Sequence, residues 1–362
     1  MDSDLSSVPR SLPPKIMVRA PNWVGDAVMA VPALRELRRI FADSKITLVA
    51  RPWVAGLFDG EGLADALISV GDARGVFQKT REFIRQARRL KRERFDLAVL
   101  LQNAAGAALA ARAAGVKKIA GYPTDGRRAL LSIVIPFEPN YKTLHQVRYY
   151  LNIASELERM LTGTSRVEIE TAQPSLHINT EDKTRACELL EPFGIKAGAR
   201  IVAINPGATN SRAKRWLPER FAAVADQLVE RDGFQAIIIG AAGDIEAARE
   251  VARLMRSPAA MLAGRTNIAQ LKAVLACSQL VVSNDTGAAH VSAALGVPTV
   301  VVFGPTEHVS TRPLSKLAMV VRHDVECSPC MLRDCPIDHR CMARVEVDDV
   351  YRAARRLFER QK

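Results

Sequence analysis

The chain is predicted to form two α/β domains, each a doubly wound parallel sheet with helices on both faces. Three observations lead there. Short runs rich in Val, Ile and Leu alternate with stretches of helical periodicity, which is what parallel strands and their crossover helices need. The theme runs once to about residue 160 and starts afresh near residue 201. A length of 362 residues also exceeds what one hydrophobic core ordinarily holds.

KIMVR at 15–19 reads as a strand, PNWVGD at 21–26 as the turn leaving it, and 27–41 as a helix. Further strands are expected at 46–50, 97–101, 118–119 and 133–137. Between them, at 79–95, Phe83, Ile84, Ala87 and Leu90 recur at helical spacing, giving an amphipathic helix. Residues 161–172 are polar and weakly patterned, so the first domain is drawn at 1–172. The second, 173–347, takes strands at 201–205, 236–239, 281–283 and 298–303, with helices at 218–231, 245–255, 268–276 and 286–295. The remaining segment, 348–362, carries a helix at 348–361 that is expected to pack back on the first domain.

The composition is that of an ordinary globular protein, 48% hydrophobic and 25% charged. No apolar run approaches the roughly 18–20 residues of a membrane span. The leader MDSDLSSVPRSLPPK is polar and broken by proline, with no apolar signal core. Cytoplasmic residence is therefore expected, with the six cysteines reduced. Residues 1–160 hold 25 Lys+Arg against 16 Asp+Glu, whereas the remainder holds 26 against 23. Much of that excess lies in the 79–95 helix, with eight basic residues and two acidic ones. The helix reads either as a solvated face or as a surface for an anionic lipid or phosphorylated acceptor, through Arg85, Arg88, Arg89 and Arg92. Nucleic acid is a poorer partner, since aromatics are only 5% and no helix-turn-helix, zinc-finger or aromatic-basic pattern occurs.

The most informative stretch is VVSNDTGAAHVSAALGVPTVVVFGPT at 281–306: strand, helix, strand. Asn284, Asp285, Thr286 and Gly287 offer a capping side chain and a close backbone approach at the start of a helix, where unpaired N–H groups favour an anion. His290 lies close enough to turn toward the same opening, and Gly304-Pro305-Thr306 forms a second turn there. Asp26, following Gly25 at the end of the first turn, suits either a general base or a helix cap. Lys214 stands between a strand and a helix, where its charge could neutralise a departing diphosphate or simply face solvent. Asp244 either holds a ligand or caps the helix after it. Cys327, Cys330, Cys335 and Cys341, with His323 and His339, have the residue types of a structural metal site. Zinc ribbons, however, set their Cys pairs about a dozen residues or more apart, so packed thiols or a disulfide are the alternative. His145, His177 and His308 carry no partner pattern.

Five ordered blocks resemble the ADP-heptose heptosyltransferases that build the lipopolysaccharide inner core. They are RAPNWVGDAVMAVPALRELRRIFADSKITLVAR, NPGATNSRAKRWLPERFAAVADQL, IIIGAAGDIEAAREV, LAGRTNIAQLKAVLACSQLVVSNDTGAAH and FGPT, and together they cover nearly the whole chain. The Asn-Trp-Val-Gly-Asp and Lys-Arg-Trp variants are most like the second heptosyltransferase of that pathway. The resemblance implies a GT-B fold, two Rossmann-like domains facing a cleft, and metal-independent inverting transfer of L-glycero-D-manno-heptose from ADP-heptose to heptosyl-Kdo2-lipid A. It makes Asp26 the catalytic base and Lys214 a phosphate ligand. Thr209, Asn210, Asp244, Asp285, Thr286, Gly287 and His290 become donor contacts. It further implies no required cofactor, an anionic lipid A-core acceptor, and peripheral attachment to the inner face of the inner membrane. Transfer to another acceptor position, or a nucleotide-sugar epimerase on the same fold, is the competing reading. A nicotinamide oxidoreductase fits poorly, because the first turn lacks Gly-x-Gly-x-x-Gly.

Overall fold

Strands buried on both faces make parallel sheets, and Leu97–Leu100 and Thr299–Val302 are buried at every position. The computed structural model describes residues 12–71, 73, 75–196 and 198–359. Most of the polar leader and the final residues of the expected C-terminal helix lie outside them. The chain divides into two units, Met1–Pro174 and Ser175–Lys362, two residues beyond the boundary drawn from the sequence.

The first unit contains β1 (Lys15–Arg19), β2 (Lys45–Ala50), β3 (Ala66–Ser69), β4 (Leu97–Leu100), β5 (Lys118–Gly121) and β6 (Ile133–Val134), in the order β3-β2-β1-β4-β5-β6. The second contains β7 (Ile201–Asn205), β8 (Gln235–Ile238), β9 (Ala259–Met261), β10 (Leu280–Asn284), β11 (Thr299–Val302) and β12 (Ala318–Val321), in the order β12-β11-β10-β7-β8-β9. All pairings are parallel. Counted from its own first strand, each unit is wired identically, with its first and fourth strands side by side at the centre. Chain direction across the sheet reverses between β1 and β4 and again between β7 and β10. Such a reversal opens a crevice at the carboxyl ends of the strands, where α/β sheets bind ligands. In register, Arg19 stands beside Leu100 in the first unit and Asn205 beside Ser283 in the second.

Several expected elements change. The helix expected at 27–41 is two, Val24–Met29 and Val31–Ile40. Pro32 has no N–H for a helical bond to Val28, so the first helix stops and a second begins. Strands β3, β9 and β12 were not expected; all three are three or four residues long and too short for a clear period. Helices Ala105–Ala113, Gln146–Thr162 and Thr180–Leu190 were also missed. The first of these is alanine-rich and carries little apolar contrast between its faces. The C-terminal helix Val347–Glu359, which was expected to pack back on the first domain, has a place in the core of the second unit. It lies on helix Pro218–Asp232 and on β10, β11 and β12, within its own unit. Its Val350, Ala353, Ala354 and Leu357 share one core with Val202, Phe221 and Val300.

Candidate active site

In the second unit, β7 and β10 end on Asn205 and Asn284, both buried, where the apolar run of each strand would continue. Each side chain bonds across the crevice. Asn205 Nδ2 donates to Ser283 Oγ at 2.9 Å and to Thr286 Oγ1 at 2.7 Å. Asn284 Nδ2 donates to the Pro206 carbonyl at 2.8 Å, while its Oδ1 accepts from the Trp216 N–H at 2.9 Å. Buried amides satisfied in this way fix a loop more tightly than apolar packing does. The loop so fixed, 206–216, carries Lys214. Trp216 anchors its far end, 2% exposed and donating from Nε1 to the Val345 carbonyl at 3.0 Å.

Lys214 Nζ lies 2.8 Å from Asp285 Oδ2, and Thr306 Oγ1 donates to the same oxygen at 2.8 Å. Asp285 is 7% exposed, whereas the Lys214 side chain keeps 28% of its surface. A buried carboxylate thus steers a cation that still reaches solvent. In this arrangement Asp285 positions the Lys214 ammonium. The neighbouring helix Gly287–Ala294 begins at Thr286, whose side chain makes no capping bond because its hydroxyl serves Asn205. The expected side-chain cap at 284–287 is therefore missing, and the first N–H groups of that helix keep their partial positive charge. His290 sits buried in its first turn.

Asp244 joins the same edge from the end of β8. Its Oδ2 accepts from Thr209 Oγ1 at 2.9 Å and from the Ala241 N–H at 3.3 Å. It precedes helix Ile245–Leu254 but makes no capping bond to it, so the capping alternative falls away. Arg215 turns its Nη2 to 3.6 Å from Asp244 Oδ1. The carboxylate fits only because residue 207 is glycine, since a Cβ there would stand 2.2 Å from Asp244 Cγ. Gly207→Ala is expected to expel Asp244 and cost about 1–3 kcal/mol of stability. An unchanged melting temperature would count against this packing.

In the first unit, Asp26 is the third residue of helix Val24–Met29, half-buried, and the cap position belongs to Trp23. Asp26 is therefore no cap, and its carboxylate sits in the first turn at the carboxyl edge of β1. Tyr150, on helix Gln146–Thr162, is nearby and buried; burial, and then the Asp26 charge, hold its phenol well above the usual range. Trp23 and Trp53 are 57% and 43% exposed, and Trp53 Nε1 donates to the Asn22 carbonyl at 2.8 Å.

The other candidates separate from these groups. Asn210 lies in an exposed turn with Thr209. Arg85, Arg88, Arg89 and Arg92 are exposed on helix Val76–Glu93, Arg85 paired with Glu82 and Arg89 donating to the Ser69 carbonyl at 3.1 Å. Cys341 is buried, and burial followed by the charges of Cys327, Cys330 and Cys335 pushes its thiol up. Yet among the described residues no three His, Cys, Asp or Glu side chains are placed to hold a metal ion, and all six cysteines are free thiols. The short loops between the four cysteines do other work, bracing the Lys214 loop. The Ala213 N–H donates to the Arg333 carbonyl at 2.9 Å, Arg212 Nε to Asp334 Oδ1 at 2.6 Å, and His339 Nε2 meets the Ala213 carbonyl at 2.6 Å. Sequence reasoning missed this brace, together with Asn205 and the contact of Thr306. A polar residue ending an all-apolar strand was the visible signal for Asn205.

Residues 83–340 match the pattern of glycosyltransferase family 9 (heptosyltransferase). The chain belongs to that family. It is a glycosyltransferase, and its two six-stranded parallel sheets are those of a GT-B enzyme. The lipopolysaccharide heptosyltransferase 2 of Escherichia coli is 28% identical over 312 residues, 85% of this chain and 88% of that protein. The lipooligosaccharide heptosyltransferase 2 of Campylobacter jejuni is 27% identical over 354 residues, 95% of this chain and 98% of the other. Among solved structures, the ADP-heptose lipopolysaccharide heptosyltransferase II of Escherichia coli superposes with a TM-score of 0.81 at 25% identity, covering 96% of this family 9 chain and 99% of its own.

Proposed function

We propose that the protein transfers L-glycero-D-manno-heptose from ADP-heptose to heptosyl-Kdo2-lipid A, with inversion at the anomeric carbon. The observation that carries this reading is the Lys214–Asp285–Thr306 contact beside a helix start without a side-chain cap. It gathers a fixed cation and oriented N–H groups at one crevice, which suits a diphosphate leaving group. In the reaction, the acceptor hydroxyl oxygen bonds to the anomeric carbon as the bond from that carbon to the diphosphate oxygen breaks. The bonding pair leaves with ADP, whose added charge Lys214 and the helix start balance. The hydroxyl proton passes to the Asp26 carboxylate. Asp244 and Thr209 suit the nucleoside end of the donor, since a buried carboxylate with one weakly engaged oxygen can accept from sugar hydroxyls.

A transfer assay with ADP-heptose and two acceptors, one carrying and one lacking the first heptose, tests the assignment. Product is expected only from the acceptor that carries it. Transfer only to the other acceptor, or donor turnover with no acceptor present, would overturn it.

Because Lys214 and the helix start supply the positive charge, transfer is expected to continue undiminished in EDTA. Loss of activity restored by Mg²⁺ or Mn²⁺ would contradict this.

The protein works at the cytoplasmic face of the inner membrane in this reading. Helix Val76–Glu93 supports it, presenting exposed Val76, Phe77 and Ile84 among its outward arginines. Apolar side chains amid basic ones suit an anionic lipid surface, and no helix among the described residues is long and apolar enough to cross a membrane. Replacing Arg85, Arg88, Arg89 and Arg92 by Gln should weaken binding to anionic vesicles and lipid-borne acceptor in a salt-dependent way, leaving the donor KM unchanged. Equal vesicle binding by wild type and variant would reduce the helix to a solvated surface.

A further inference from the structure

At the direction reversal of the first sheet lies a half-open cavity of about 290 Å³. Its polar lining comes from the ends of three neighbouring strands and from one helix: Arg19 ends β1, Arg51 follows β2, Gln102 follows β4, and Lys79 and Gln86 lie on the inward side of helix Val76–Glu93. Phe83 completes that side, at helical spacing between Lys79 and Gln86. Arg85, Arg88 and Arg92 are not among its lining residues.

Arg19 is 4% exposed and held on three sides. Its Nε donates to Gln102 Oε1 at 2.8 Å, its Nη1 to the Val49 carbonyl at 3.0 Å, and its Nη2 to Asn22 Oδ1 at 3.1 Å. These acceptors are neutral, so they fix the guanidinium without cancelling its charge. Burial lowers the Arg19 pKa to about 9, and the repulsion of Arg51 adds to the effect. Glu82 also lines the cavity but is paired with Arg85.

The second unit shows what the fold itself requires at this place. There the first strand ends on neutral Asn205, which bridges to the end of β10 as Arg19 bridges to Gln102 beyond β4. An amide therefore satisfies the same wiring. A buried cation beside a second cation is the costlier choice, and an anion between them offsets the cost.

We propose that this cavity binds one anionic group of the acceptor, a phosphate or a sugar carboxylate, through Arg19, Arg51 and Lys79. The proposal rests on the acceptor assigned above. It divides the basic helix by face: the inward side serves the acceptor's anionic group and the outward side serves the membrane.

Lys79→Gln and Arg51→Gln, singly and together, test it against the wild type. Lys79 is exposed, so its replacement leaves the fold intact and carries the test even if the Arg51 variant folds poorly. The double variant is expected to raise the acceptor KM roughly 10–100-fold, the loss of one or two charge-assisted hydrogen bonds, with the donor KM unchanged. Acceptors stripped of phosphate, or with their carboxylates esterified, distinguish the sources. Whichever change costs the wild type its affinity while leaving the double variant indifferent names the group bound. An unchanged acceptor KM in both Lys79→Gln and the double variant, or a selective donor defect, overturns the site. Binding of inorganic phosphate to the full chain, with ADP saturating the donor side, tests the cavity apart from any transfer. Weaker binding in the variants supports the site even if the acceptor assignment fails. Equal binding in wild type and variants overturns it.

Discussion

Asp26→Asn is expected to lower the transfer rate by roughly two to four powers of ten while the protein stays folded. The amide keeps the size and shape of the carboxylate but cannot take the proton of the attacking hydroxyl. Because the N-cap position belongs to Trp23, the substitution removes no N-cap residue. A melting temperature close to wild type should therefore accompany the loss of rate. Both KM values should change little, since the lost interaction belongs to the transition state. Wild-type turnover in this variant would remove Asp26 from the mechanism.

The second large effect is expected at Lys214. Lys214→Met keeps the length of the side chain and deletes the charge that meets the departing diphosphate. A fall in kcat of about two to three powers of ten is expected, on the scale of removing a preorganised electrostatic donor. Asp285→Asn should give a smaller defect of the same kind, because it loosens the cation without deleting it; its Oδ2 takes both Lys214 and Thr306 at 2.8 Å. Thr306→Val should fall between wild type and Asp285→Asn. If Lys214→Met raised only the donor KM, Lys214 would bind ground state and transition state alike and stabilise no leaving group.

The sequence carried the fold through the central strands. Runs such as IVAIN and TVVV are apolar at nearly every position because both of their faces are covered, and that signal survives without any structure. Edge strands do not have it. The strand Ala318–Val321 is only half-buried, so its residues answer to no single period. At Asp26 and Lys214 the residue type alone left a helix cap or a solvent-facing charge as open as a chemical role, and it was the resemblance that chose between them. The site was not legible where a role depends on a distant partner. Nothing near Asp285 in the sequence announced Lys214, 71 residues earlier, as its partner. Arg215 found Asp244 across the chain in the same way. In the cysteine segment the residue types suggested a metal and the spacing spoke against one; neither could anticipate its bonds to the Lys214 loop.

The placement of helix Val347–Glu359 bears on how the chain comes off the ribosome. Every strand and helix of the first unit has been made by Thr162, so its contacts are available early. The core of the second joins Val202 to Leu357 and cannot close until the latter has been synthesised. At about 5–20 residues per second, that leaves the amino-terminal half roughly 10–40 s in which to fold before its companion has all its parts. Through that interval β10, β11 and β12 wait with apolar side chains that the missing helix will later cover. Aggregation during synthesis should therefore begin in the carboxyl-terminal half, and a chaperone that holds nascent chains should be needed there first.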